Sequence, residues 1–162
     1  MKNIKNIGLS LFVALLIFTA LAFNSVEKQG YKCIIQLTNY TGEGAYVVLS
    51  LIDAKGEYVE TLYMLGEDEK WYDYFTTWWK FWEKDKVSLD AITGESIIGG
   101  DRKIIKLDVD TSKIDAGYKI RFETAVEDQD YFIDAEVDLN SSTIKNKITG
   151  EGYIRYIRFI PN

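Results

Sequence analysis

Seven residues, Asp-Ala-Ile-Thr-Gly-Glu-Ser from Asp90 to Ser96, hold the arrangement in this chain best suited to chemistry. Two hydroxyls, Thr93 and Ser96, stand on either side of Gly94, with carboxylates at Asp90 and Glu95. A side-chain hydroxyl can accept a covalent group when it sits on an exposed loop, near a base, with room for a bulky donor. Gly94 provides room, because a residue without Cβ lets another group approach the backbone closely. The same residue types also build ordinary turns. The stretch therefore reads either as an attachment site or as a plain connection before the next strand.

The remaining composition narrows what else the chain can do. It has no histidine. That removes imidazole as general base, metal ligand or haem ligand. It excludes Ser-His-Asp and Cys-His nucleophile systems and an ordinary His-containing zinc site. Cys33 is the single cysteine, so no intrachain disulfide can form. It lies in a stretch that alternates like a strand, Tyr31 to Leu37, and reads as a buried, inert thiol. Redox or group-transfer chemistry here needs a group that the chain does not encode as a side chain. The carboxylates Glu123, Glu127, Asp128 and Asp130 read as a solvated acidic turn rather than a calcium site.

The first 22 residues carry Lys2 and Lys5, an apolar run from Ile7 to Ala22, and a small-x-small end at Ala20-Leu21-Ala22. These are the three parts of a secretory signal. The run is slightly short of the ~20 apolar residues of a spanning anchor. Residues 1–22 are thus expected to be a signal peptide and residues 23–162 a single domain outside the cytoplasm. Loss of Lys2 and Lys5 moves the formal net charge from -6 to -8. Nucleic acid is excluded as a partner, because its binding needs cations that displace phosphate counterions. Net charge of this sign also argues against direct docking on anionic lipid. Membrane contact is expected only through a partner or an uncleaved leader.

What positions the hydroxyl loop is a β framework. Residues 31–39, 45–53, 58–65, 102–110, 117–126, 130–139 and 151–160 are rich in β-branched and aromatic residues and are separated by turn signals. Residues 53–57 form a hairpin connection in which Gly56 is free to take positive φ. In 103–110, Ile105, Leu107 and Val109 share one face, and Lys106, Asp108 and Asp110 the other. About seven short strands at this spacing predict a mainly β fold, a β-sandwich. One segment breaks the pattern. Over residues 67–86, Trp71, Tyr74, Phe75, Trp78 and Trp82 recur with helical spacing, with acids at the start and lysines at the end. It predicts one short Trp-rich helix inserted into the sandwich. Trp71, Trp78 and Trp82 read as its buried face. Trp79 lies off the stripe, which leaves it free to stack on a planar ligand.

Residues 90–96 resemble the flavin-attachment motif of exported electron-transfer proteins, Asp-x-x-Ser/Thr-Gly-Ala-Thr/Ser. In those proteins a flavin transferase moves FMN from FAD onto the last hydroxyl as a phosphoester. The resemblance maps onto Asp90, Thr93, Gly94 and Ser96, with Ser96 as the acceptor and Glu95 in place of alanine. Glu95 sets a negative charge beside the incoming phosphate, which Arg102 and Lys103 offset if the loop folds them inward. A longer stretch, about 45–128, resembles the predicted periplasmic proteins of domain of unknown function 2271. The matching positions include Tyr46, Val47, Asp53, Gly56, Val59, Thr61, Leu62, Asp90, Thr93, Gly94, Gly117, Tyr118 and Glu123. That resemblance implies an immunoglobulin-like sandwich linked with PepSY-type membrane redox proteins and flavin transferases. Two functions stay open: an exported FMN carrier that exchanges electrons with a membrane partner, and a cofactor-free sandwich that binds a protein or glycan at the cell envelope.

Protein exported by a host should begin near Phe23 on N-terminal sequencing. Intact Met1 on membrane-bound material would show that the leader is an anchor.

Overall fold

The computed structural model describes residues 26–89 and 91–162. The expected signal segment and Asp90 lie outside the described residues. Among the described residues, eight strands form two sheets. Strands β1 (Lys28–Leu37), β5 (Arg102–Asp110) and β8 (Ile154–Pro161) make a three-stranded sheet in the order β5-β1-β8. Strands β2 (Tyr46–Ile52), β3 (Tyr58–Leu65), β4 (Thr93–Gly94), β6 (Lys119–Ala125) and β7 (Tyr131–Asp138) make a five-stranded one in the order β4-β3-β2-β6-β7. Neighbours are antiparallel except β3 and β4. The expected sandwich is present, and the seven expected strands match seven of the eight. The eighth, β4, is made by the hydroxyl stretch itself.

The alternation of each strand sets the core. Tyr31, Cys33, Ile35 and Leu37 of β1, with Ile105, Leu107 and Val109 of β5, turn inward. They meet Val47, Leu49 and Leu51 of β2 and Ile120 and Phe122 of β6, and Phe122 touches Phe159 of β8 edge-on at 6.3 Å. Cys33 is fully buried, and burial pushes its thiol pKa up, so it stays an inert thiol. The hairpin at residues 53–57 closes as expected, with Gly56 at φ 86° and Asp53 Oδ1 accepting from the N–H groups of Lys55 and Glu57 at 2.8 Å each.

The inserted segment differs from a single helix over 67–86. A 3-10 turn covers Glu69–Tyr74, and an α-helix, α1, covers Thr76–Asp85, with Phe75 between them at φ -80°, ψ 70°. Two start signals explain the break. Asp68 caps the first piece through the Lys70 N–H, while the second takes its cap from the sheet, where Glu123 Oε2 accepts the Trp78 N–H at 3.2 Å. The buried stripe is consequently Tyr72, Phe75, Trp78 and Trp82. Its spacing is three through the 3-10 stretch, where i and i+3 eclipse, and then four along α1. Trp71 and Tyr74, expected on the stripe, are only half-buried.

This stripe covers the outer face of the five-stranded sheet and forms a second core with Val48, Met64, Leu89 and Ala125. Its polar atoms are satisfied there, as buried indole and phenol groups require. Trp78 Nε1 donates to Thr61 Oγ1 at 2.8 Å, Tyr72 Oη to the Gly66 carbonyl at 3.0 Å, and Trp82 Nε1 to the Val87 carbonyl at 3.0 Å. Trp78 stacks on Trp82 at 5.3 Å and is 0% exposed. Trp78→Ala should destabilise the domain by ~3–5 kcal/mol in chemical denaturation, because the lost transfer energy and the cavity add. A loss below ~1 kcal/mol would mean that the second core contributes little to stability.

Candidate functional site

The hydroxyl stretch is a strand addition at a sheet edge. Thr93 pairs with Met64 and Gly94 with Leu65, through Met64 N–H to the Ile92 carbonyl (2.8 Å) and Gly66 N–H to the Gly94 carbonyl (2.6 Å). Three residues after Gly94, Ile97 is held by a bridge to Ala45, with N–H to carbonyl distances of 2.7 and 3.0 Å. Tyr40 locks this bridge. Its hydroxyl accepts from Ala45 N–H at 2.7 Å and shares its proton between the Glu43 and Ile97 carbonyls, each 2.9 Å away. Between these two anchors only Glu95 and Ser96 are loose, and both are exposed.

Ser96 Oγ has no hydrogen-bond partner among the described residues. It packs over Gly44, where an added Cβ would lie 2.4 Å from Ser96 Oγ. Gly94 is not a turn glycine with positive φ. Its role is close approach, since a Cβ there would stand 3.1 Å from Tyr63 Oη. The two cations nearest in sequence behave differently. Lys103 Nζ reaches Glu95 Oε2 at 3.9 Å, a loose surface pair. Arg102 turns away, donating from Nε to Gln36 Oε1 at 3.0 Å and from a terminal nitrogen to Tyr156 Oη at 2.9 Å. Of the residues read from the sequence as a site, Thr93, Gly94 and Ser96 come together on one edge. Gly44, Tyr40 and Tyr63 complete it. None of the three carries a sequence signal for that role, because each acts through a contact made only by the fold.

Trp79 is half-buried on α1 and tilts against Trp82 at 5.3 Å. The aromatic surface that opens beside the edge is another one. A cleft of about 220 Å³ runs along β3 before β4 begins, walled by Tyr58, Thr61, Phe81, Trp82, Leu89 and Ile92. Phe81 stacks on Tyr58 at 5.0 Å, and the Tyr58 hydroxyl bonds to Thr61 Oγ1 at 2.6 Å. Ile92, at its near wall, is four residues from Ser96, about 13 Å of extended chain.

Glu123 departs from the expected acidic turn. Glu127, Asp128 and Asp130 are exposed, but Glu123 is 1% exposed, beneath α1. No group of three or more potential ligands able to hold a metal occurs among the described residues. Glu123 Oε2 accepts from both Trp78 N–H and Tyr131 Oη. Burial pushes the Glu123 carboxyl pKa above the usual carboxylate value, and the hydrogen bonds from Tyr131 and Trp78 offset only part of that.

The family of predicted periplasmic proteins called domain of unknown function 2271 matches residues 28–156, from the start of β1 into β8. The chain belongs to that family, and the match holds all of the five-stranded sheet and, in the other, β1, β5 and the start of β8. No curated protein and no solved structure matches the chain. No helix among the described residues is long and apolar enough to cross a membrane, and the family's periplasmic description agrees with the export expected from the leader.

The raised Glu123 pKa fixes the sign of a pH effect. A carboxyl whose folded value exceeds its unfolded one favours the fold fully below the unfolded value, and that contribution is lost as pH rises through the folded value. Glu123→Gln keeps an acceptor for Trp78 and Tyr131 and removes the titration. Wild type should therefore lose stability relative to Glu123→Gln as pH rises from about 4.5, measured by urea denaturation at a series of pH values. A constant difference across that range would show that the site does not titrate.

Proposed function

We propose that this domain is an exported carrier of FMN, held as a phosphoester on Ser96, that exchanges electrons with a membrane redox partner. One observation carries the reading. In a stretch anchored at Gly94 and at Ile97, the Ser96 hydroxyl is exposed and free of hydrogen bonds to the described residues, so a transferase can reach it without unfolding the sheet edge. Its oxygen takes the FMN phosphate of FAD, its proton is released, and AMP leaves. Lys103 supports the reading as the cation paired with Glu95, softening the repulsion that Glu95 exerts on a phosphate. Gly44 keeps space behind the Oγ. Thr93 shapes the β4 pairing and does not bear the group. Trp79 has no wall of the cleft and is not assigned to the ring. A bound flavin supplies the electron-carrying chemistry that a histidine-free chain does not encode.

A flavin transferase and a PepSY-type membrane redox protein are the partners this reading requires. The cleft beside Tyr58 and Phe81 favours the second reading, a cofactor-free sandwich that binds a partner at the cell envelope.

Co-expression with the matching flavin transferase in an exporting host should give yellow protein, heavier by one FMN less one water, with flavin that survives denaturation. Ser96→Ala should abolish the label, Thr93→Ala should weaken it at most, Glu95→Ala should raise the yield and Lys103→Ala should lower it. An unmodified mass with that enzyme present refutes the flavin reading and leaves the binding sandwich.

A further inference from the structure

The outer face of the three-stranded sheet is cationic in an acidic chain of net charge -6. Register defines its rows. Lys32 stands between Lys106 and Ile160, and Ile34 between Ile104 and Arg158. Gln36 stands between Arg102 and Tyr156, and Lys147 Nζ sits over the Tyr156 ring at 4.3 Å. No acid occupies these three rows; Asp108 falls in the next, opposite Gly30.

Two features of this face work against the fold. Lys32 and Lys106 are direct cross-strand partners, and like charges placed directly opposite destabilise a sheet. Neither has an ion-pair partner among the described residues. Ile104 is 57% exposed and Ile160 40%, on a face where polar residues would serve folding better.

We infer that this face docks on an anionic lipid surface, with Lys32, Lys106 and Arg158 against headgroup phosphates and Ile104 and Ile160 at the edge of the acyl region. Charge and placement favour lipid. Exposed cations surround the aliphatic side chains Ile34, Ile104 and Ile160, the arrangement of an interfacial membrane face, and Arg102 and Tyr156 bond to each other rather than standing free as protein anchors. The net charge does not prevent docking. The exposed acids Glu67, Glu69, Asp73 and Glu83 lie with the helical segment on the far side of the five-stranded sheet. Two layer spacings of about 10 Å each separate them from the cationic face, beyond a Debye length of about 8–10 Å. The chain also leads there. Ala22, the last residue of the apolar run, is six residues from Lys28, where the central strand of this sheet begins. Whenever the leader occupies a bilayer, β1 starts within about 20 Å of it.

Flotation of the protein from an exporting host with vesicles of phosphatidylglycerol and phosphatidylcholine, against phosphatidylcholine alone, tests this. Binding is expected only to the anionic vesicles, and 0.5 M salt should remove it. Lys32→Glu should lower the bound fraction at least fivefold while raising Tm, because it sets opposite charges across the β1–β5 pair. Lys106→Gln/Arg158→Gln should lower it at least tenfold with unchanged near-UV circular dichroism. Equal binding to neutral vesicles, binding indifferent to these substitutions, or no vesicle binding would each overturn the proposal. Retention by an acidic protein without vesicle binding would overturn it in favour of a protein partner.

Discussion

Strand β2 buries both of its faces, β6 does so from Phe122 to Ala125, and the rest of the molecule follows from that demand. Val47, Leu49 and Leu51 point to the three-stranded sheet, while Val48 and Glu123 point to the aromatic helix. A two-sheet sandwich normally leaves one face of each sheet to water. Here the five-stranded sheet needs a second cover, and the Trp-rich insertion supplies it. Glu123 joins that cover to the sheet, since its carboxylate takes the Trp78 N–H in the first turn of α1 from a position in the strand rather than from the helix's own sequence. The contact is polar and buried, and it fixes where α1 can start.

The position of α1 decides the geometry of the sheet edge. Leaving α1, the chain must return past Trp82 and Leu89 to rejoin the sandwich, and it does so alongside β3. Only two residues, Thr93 and Gly94, find room to pair. The chain then crosses to Ala45 and enters the second sheet at β5. Ser96 sits at that crossing, between one sheet and the next, where the backbone is anchored and the side chain is not. A side chain between two closely spaced anchors is held better than one on a long loop. The cleft at Tyr58 and Phe81 has the same origin, since it is the part of the β3 edge that β4 is too short to pair.

Much of this was legible in the sequence. Strand alternation in β1 and β5 gives the inward faces directly, and Gly56 marks the first hairpin. The hydroxyl motif is also visible, but its surroundings are not. Gly44 and Tyr40 lie in what reads as turn material, and their contacts with Ser96 and Ile97 span more than 50 residues. Helical spacing puts Trp71 on the stripe where the structure has Tyr72, because a 3-10 turn and an α-helix have different periods. Glu123 reads as one acid among four, and only the fold separates it. Charge shows the same limit: a net value conceals the segregation of Lys32, Lys106 and Arg158 onto one sheet face.

The account rests on the Ser96 hydroxyl, exposed at the sheet edge and without a hydrogen bond to the described residues. Peptide mapping of the protein from a native exporting host tests it most directly. Tryptic cleavage after Lys86 and Arg102 isolates residues 87–102, with Thr93 and Ser96 in one peptide. The account predicts that this peptide carries one FMN less one water, with fragment ions assigning the added mass to Ser96. An unmodified peptide in flavin-replete cells, or the same mass on Thr93, would contradict it.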